Sequence, residues 1–245
     1  MPDQSPPYAI PFDHDSLFRL RANGSHSLIL DFRKDRNHLV LIHQLTEYLL
    51  THPPQSLVNV IPASLSVTLI FNEAVTANTY WQDFLTQAID ACHDFPINPK
   101  MHSIGICYQA QLPNGLATDL NSVCKILQCS ESQLIDAHSS ATYRVDMLGF
   151  LPGFAYLSGL PHALQLPRKS KPTLSVAAGS VAIAEQYSAI YPVDSPAGWH
   201  VIGRTSFPCI NWKAENFCPF KPLDTIRFEP VSIEHASLEE WRRQS

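Results

Sequence analysis

Between Tyr143 and Val231 the chain cannot sustain any long regular element. Prolines and glycines cut it into short β-rich runs: "YRVDMLGF", "LSVAAGSVAIA", "SAIYPV", "GWHVIGRT" and "DTIRFEPV". No helical stripe returns until "SLEEWRR" near the C-terminus. So many short strands would present many unpaired edges, and a sheet that closes on itself removes them; this part is predicted to be a closed or nearly closed β-barrel. Within it, "MLGFLPGFAYLSGLP" mixes two textures. Gly149, Pro152, Gly153 and Gly159 punctuate the backbone, yet Phe150, Leu151, Phe154, Tyr156 and Leu157 are as apolar as a core strand, so the segment fits neither a plain strand nor a solvated loop.

The first part of the chain has a different rhythm. "SLILDF" alternates as a strand, and after Lys34 the apolar residues Leu39, Ile42, Leu45 and Leu49 recur at helical spacing until Pro53 and Pro54 stop them. "LVNVI" and "LSVTLIF" bracket "PAS" as a strand pair, and Tyr80, Trp81, Phe84, Leu85, Ala88 and Ile89 share one face of a second helix. The order is β-α-β-β-α. A strand "SIGICYQ" follows, then a helical stripe of Leu116, Leu120, Val123, Cys124 and Leu127, and a short helix to about His138 that Ser130 and Gln133 open in capping-box register. The expected fold class is therefore a small α+β N-terminal domain over 1–140 and a mainly-β barrel domain over 141–245. The connection is too short for a floppy linker, so the two are expected to pack together.

Composition excludes several functions. With 245 residues, 45% hydrophobic and 16% charged, the chain can bury a real core. A net charge of -5 gives no global attraction to nucleic acid or anionic lipid. No run reaches the ~18 apolar residues a membrane span requires. The six cysteines form no CxxC pair and follow no secretory signal, which points to reduced thiols in a cytoplasm. No phosphate loop, dinucleotide fingerprint or HExxH is present, and "AAGSVA" around Ser180 lacks the first glycine of a nucleophile elbow. Eleven histidines invite a metal, but His38 and His43 fall on different helix faces and the others do not cluster, so no metal site is expected.

Three stretches remain. "PRKSKP" gathers Arg168, Lys169 and Lys171 between prolines that keep it extended; it is either a solvated loop or an anion site in which Arg168 grips a carboxylate or phosphate. "AAGSV" is either a plain turn or one whose backbone N–H groups and Ser180 hydroxyl face an oxyanion beside Arg168. "IYPVDSPAGWHVIGRT" brings Tyr191, Asp194, Trp199 and Arg204 around a turn, with Trp199 as core plug or as ligand platform.

Taken together, "IDAHSSATYRV", "LGFLPGFAYLSGLP", "LPRKSKPTLSVAAGSVAIA" and "IYPVDSPAGWHVIGRT" resemble the B subunits of bacterial 5-oxoprolinase, a family also called KipI or allophanate hydrolase subunit 1, from about Ser25 to Val231. The resemblance implies a cyclophilin-like barrel and a cytoplasmic, hetero-oligomeric, non-autonomous enzyme subunit. With subunits A and C, such a chain opens 5-oxo-L-proline to L-glutamate at the expense of ATP, which the assembly binds. Related domains act on urea or allophanate, and some relatives inhibit a sensor histidine kinase. Candidate substrate- or anion-binding residues are Arg168, Gly179, Ser180 and Arg204, with Tyr156, Trp199, Tyr191 and His138 around them. The aromatic turn would be a rigid lip of the pocket, or else a seal of the barrel end against the first domain.

Departures from the family pattern fall at defined places. Where the pattern reads "IAGxQTGIYP" the chain has "IAEQYSAIYP", with Tyr187, Ser188 and Ala189 in place of the Gln-Thr-Gly. Ala197 replaces a glycine of "SPGGW", and Leu223 the glycine of "PGD". A non-glycine residue forced to positive φ there would cost about 1 kcal/mol or reshape the turn.

Overall fold

In the computed structural model, residues 17–35, 37–109, 118–214 and 216–232 are described. They divide into two units, Met1–Asn98 and Pro99–Ser245. The predicted "SLEEWRR" helix and Leu116 lie outside the described residues.

The first unit is a four-stranded antiparallel sheet with two helices. Its strands are β1 (Phe18–Ala22), β2 (Ser27–Phe32), β3 (Leu57–Pro62) and β4 (Ser66–Phe71), in the order β1-β2-β4-β3. Strands β2 and β4 bury every second residue, so one face of the sheet is apolar. Helices α1 (His38–Thr51) and α2 (Thr79–Cys92) supply the other half of this core: Leu39, Ile42, Leu45 and Leu49 from α1, and Trp81, Leu85, Ala88 and Ile89 from α2. Tyr80, expected on the buried face, is instead 65% exposed. Strand β1 is an addition to the expected order. Its outer residues Arg19 and Arg21 hide the alternation, and both reach Asp31 across the ladder, Arg21 Nε at 2.7 Å.

The barrel unit begins at residue 99, not near 140. Strand β5 (Met101–Ile106) is a barrel strand, paired in parallel with the last strand, β13 (Thr225–Pro230). Helices α3 (Leu120–Leu127) and α4 (Glu131–Ser140) bury Leu120, Val123 and Leu134 in the barrel's own core. Helix α4 opens with the expected capping box: Ser130 Oγ accepts from Gln133 N at 3.2 Å, and Gln133 Oε1 accepts from Ser130 N at 2.9 Å.

The remaining strands are β6 (Thr142–Leu148), β7 (Ala155–Ser158), β8 (Thr173–Val176), β9 (Ser180–Ala184), β10 (Tyr187–Ile190), β11 (Ser195–Ala197) and β12 (His200–Arg204). Seven strands run in the order β12-β9-β10-β7-β6-β13-β5, while β8 and β11 form a separate pair. The sheet's two ends meet at Cys107 and Arg204, whose backbone groups exchange hydrogen bonds of 2.8 and 3.0 Å. Gly203 makes that seam possible, because a Cβ there would stand 2.7 Å from the Cys107 carbonyl oxygen.

Around β9, β10 and β12 both faces of the closed sheet are dry, whereas β5 and β13 leave Met101, Arg227 and Glu229 exposed outside. Ile104, Val145, Leu157, Val181, Ile190, Ile202 and Ile226 come from all seven strands and fill the interior. Alternate residues of β9, β10 and β12, Ala182, Ala184, Ala189 and Val201, join Phe154, Tyr191 and Trp199 in an outer cluster with Val176 of β8 and Ala197 of β11. Small residues facing out and branched ones facing in give β9 five buried residues in a row.

The aromatic turn belongs to this outer layer. Gly153, at φ 79, sits where a Cβ would lie 2.6 Å from Ile210 and 2.7 Å from the Cys209 carbonyl oxygen, and that close approach tucks Phe154 into the cluster at 1% exposure. Phe150 remains 62% exposed.

Candidate functional site

Where β8 passes the start of α3 and the seam of the barrel, a cleft of about 230 Å3 opens. Its lining includes Asp119, Lys169, Thr173, Ser175, Ser180 and Arg204. Asp119 precedes α3 but does not cap it; its carboxylate accepts from Val201 N at 2.8 Å and from Lys169 Nζ at 2.5 Å. Thr173 Oγ1 is 2.9 Å from the same ammonium. Arg204 is held on the other side by a bond from Nε to the Ala178 carbonyl oxygen at 3.0 Å. Burial pulls its guanidinium below the ordinary value, and the nearby Asp194 carboxylate opposes that pull. Ser180 closes the set, with no partner for its hydroxyl among the described residues. Two cations, a carboxylate and four hydroxyl residues, Thr118 included, therefore line a space suited to a small polar molecule.

The expected residues divide among three places. Ser180 and Arg204 share the cleft. Gly179 lies behind it at φ 78, and the turn's N–H groups are already used: Ala178 N donates to Asp194 Oδ1 at 2.7 Å, Gly179 N to Tyr191 O at 2.7 Å and Ser180 N to Ala177 O at 3.2 Å. The turn cannot offer those donors to an oxyanion, so that expectation is corrected: Asp194 and the strand ladder consume them.

Arg168 is elsewhere. It lines a neighbouring cleft, with its guanidinium 6.0 Å from the Trp199 ring centre and Nε 3.2 Å from Glu185 Oε1. Tyr156, Tyr191 and Trp199 belong to the outer aromatic cluster beneath it. Burial pushes the Tyr191 hydroxyl up to about 12 and the Tyr156 hydroxyl up as well, with Arg168 pulling the other way in both. Trp199, 6% exposed, is both core plug and platform for Arg168.

His138 is in neither cleft. It is fully buried, stacked 4.8 Å from Phe228, with Tyr108 Oη 2.6 Å from Nδ1 and Ser188 Oγ 3.1 Å from Nε2. Burial lowers its pKa to about 3, so the ring is neutral and bridges two hydroxyls inside the barrel.

Asp119 and Thr173 join the site without having been expected there, and Lys169, one of the cations of the candidate anion segment, joins it where Arg168 does not. Lys169 stands in view within "PRKSKP"; the signal that separates it from Arg168 is the extended backbone, in which adjacent side chains diverge. Asp119 carries no signal of its own. Among the described residues no group of His, Cys, Asp and Glu could hold a metal ion, and no helix is long and apolar enough to cross a membrane. Burial pushes the Cys92, Cys107, Cys124, Cys209 and Cys218 thiols up, so none of these five is an activated nucleophile at neutral pH.

Comparison with known proteins places this architecture. The B subunit of 5-oxoprolinase from Bacillus subtilis (strain 168) is 28% identical over 238 residues, covering 91% of this chain and 98% of that protein. Two further relatives, from Escherichia coli O157:H7 and Haemophilus influenzae, carry the same name and match about half of the chain. Among solved structures, TTHA0988 superposes with a TM-score of 0.69 at 27% identity over 84% of this chain, which spans only 40% of that one. The urea carboxylase of Kluyveromyces lactis, at 17% identity and a TM-score of 0.70 over 97% of this chain and 24% of its own, shares the fold. Residues 18–220 match the family described as "Carboxyltransferase domain, subdomain C and D". The chain belongs to that carboxyltransferase C and D family.

Proposed function

We propose that this chain is the B subunit of an ATP-dependent 5-oxoprolinase, which opens 5-oxo-L-proline to L-glutamate together with subunits A and C. The observation that carries the reading is the end-to-end match to the Bacillus subtilis protein, 91% of one chain against 98% of the other. The cleft is compatible with it. A lactam carbonyl is a poor electrophile; transfer of a phosphoryl group from ATP to its oxygen activates the carbon for addition of water, the C–N bond then breaks as the nitrogen takes up a proton, and a second water hydrolyses the resulting acyl phosphate to glutamate and phosphate. In this reading Arg204 and Lys169 hold the substrate's negative charge and Ser180 and Thr173 hydrogen-bond its amide, while Asp119 positions Lys169.

The chain has no phosphate loop, so isolated it should not turn over. Purified protein mixed with homologous subunits A and C should release glutamate and ADP from 5-oxoproline and ATP. An inert mixture, when the same A and C work with another B subunit, ends this reading. The likeness to urea carboxylase extends to the fold alone, and no feature of the cleft favours urea or a kinase partner over a lactam.

A further inference from the structure

The second cleft is larger, about 470 Å3, and differs from the first in charge. Arg168, Lys169, Lys171 and His200 line it beside the apolar Ile126 and Leu166, and no carboxylate is among its lining residues. In a chain of net charge -5 this is a local reversal of sign. The segment that carries the cations is also fixed before any ligand arrives. Pro167 and Pro172 limit its backbone, Lys169 N donates to Gly198 O at 2.7 Å, and His200 Nε2 bonds Pro167 O at 3.0 Å. A solvated surface loop needs none of these anchors, and anchoring lowers the entropic cost of binding.

The cations are held in different ways. Glu185 Oε1 stands 3.2 Å from Nε of Arg168 and Trp199 lies below the guanidinium, while its two terminal nitrogens make no hydrogen bond among the described residues and keep the fork that suits a phosphate. Glu185 does this from φ 54, an unfavourable conformation for a glutamate, at the position where the family pattern has glycine. Lys171 has no partner among the described residues. Lys169 lines both clefts and forms the wall between them.

We propose that this second cleft binds a polyphosphate chain of the kind a nucleoside triphosphate carries, through Arg168, Lys171 and the shared Lys169, with Glu185 positioning Arg168 and competing for it. The nucleotide as natural ligand rests on the function proposed above; the polyanion site does not. Glu185 thereby tunes the site's affinity, since it neutralises part of the charge that the ligand meets.

Titration of the full chain with tripolyphosphate and, in parallel, with ATP tests this by calorimetry. Both should bind, and binding should weaken severalfold as salt rises from about 50 to 200 mM. The double variant Arg168→Gln, Lys171→Gln should lose ~tenfold or more in affinity for both at unchanged melting temperature, because both side chains are exposed. Glu185→Gln should shift affinity the opposite way, tightening it about threefold. No tripolyphosphate binding at low salt, an unchanged double variant, or weaker binding by Glu185→Gln overturns the proposal. If both ligands bind as expected and the assembled enzyme is still inert, the site stands and the lactam reading falls.

Discussion

Two polar clusters occupy this barrel, and they obey opposite rules. Inside, His138 joins Tyr108 and Ser188 in a network with no charge. At the seam, Arg204, only 7% exposed, and Lys169 line a cleft, each meeting an oxygen acceptor, the Ala178 carbonyl and the Asp119 carboxylate. A polar group sealed in a core must be neutral and satisfied, whereas one at a cleft can hold charge in reserve for a ligand. The difference gives His138 a role in stability, and it is Arg204 that carries the binding role in the function proposed above.

Acid should expose the sealed cluster, and this is the largest effect expected. His138 has a folded pKa of about 3 against an ordinary value of 6.5, so the unfolded chain takes up its proton first. The stability it confers is complete above pH 6.5 and is lost as pH falls toward 3. Its neighbours give no relief: Tyr108 and Tyr143 are phenols that burial pushes up and keeps neutral, and Ser188 and Phe228 carry no charge. Urea unfolding at pH 7 and pH 4.5 should differ by roughly 2–3 kcal/mol from this ring alone. His138→Leu should lower stability at pH 7, by leaving two hydroxyls short of a partner, yet flatten the acid slope. An equally steep slope in the variant would place the ring in a wetter environment than the structure gives it.

The open cluster should respond in activity, not stability. Arg204→Lys keeps the charge but gives up the planar fork, and turnover of the assembled enzyme should fall about tenfold, some 1.4 kcal/mol of transition-state binding. Its melting temperature should stay within a few degrees of the parent. The comparison breaks if His138→Leu abolishes turnover in protein that is still folded while Arg204→Lys leaves it intact.

How far the sequence foretells this depends on how far apart the partners lie along it. The capping box of α4 is legible because Ser130 and Gln133 are three residues apart. The strands of the barrel are legible through their prolines and glycines, and the inward and outward faces of β9 through simple alternation. Strand β5 reads as part of the wrong unit because its partner, β13, lies more than a hundred residues later. His138 reads as a ligand-binding residue for the same reason: Tyr108 is 30 residues before it and Ser188 is 50 after. Asp119 and Lys169, also 50 apart, meet only because both are tied to the chain around the start of β12, Asp119 to Val201 N and Lys169 N to the Gly198 carbonyl oxygen. Local chemistry can be read from a sequence, but burial decides which polar residue is sealed and which is open.

The smallest effects concern two of the glycines of the family pattern that this chain has replaced, one on the cleft side and one away from it. Leu223 does adopt positive φ, at 71, while Ala197 does not. The strain at Leu223 is about 1 kcal/mol, but the side chain is only 7% exposed, and burying a leucine returns about 1.5–3 kcal/mol. Leu223→Gly should therefore lose stability, by about 1 kcal/mol, although it removes the strained residue. Ala197 is a buried strand residue of β11, paired with the β8 strand that walls the cleft. Ala197→Gly relieves nothing and frees the unfolded chain, for a loss of ~0.5–1 kcal/mol. Denaturant midpoints of the two variants decide it. A gain at residue 223 would mean that strain outweighs burial there, and a gain at 197 would mean that the β8–β11 pair is itself strained against the barrel.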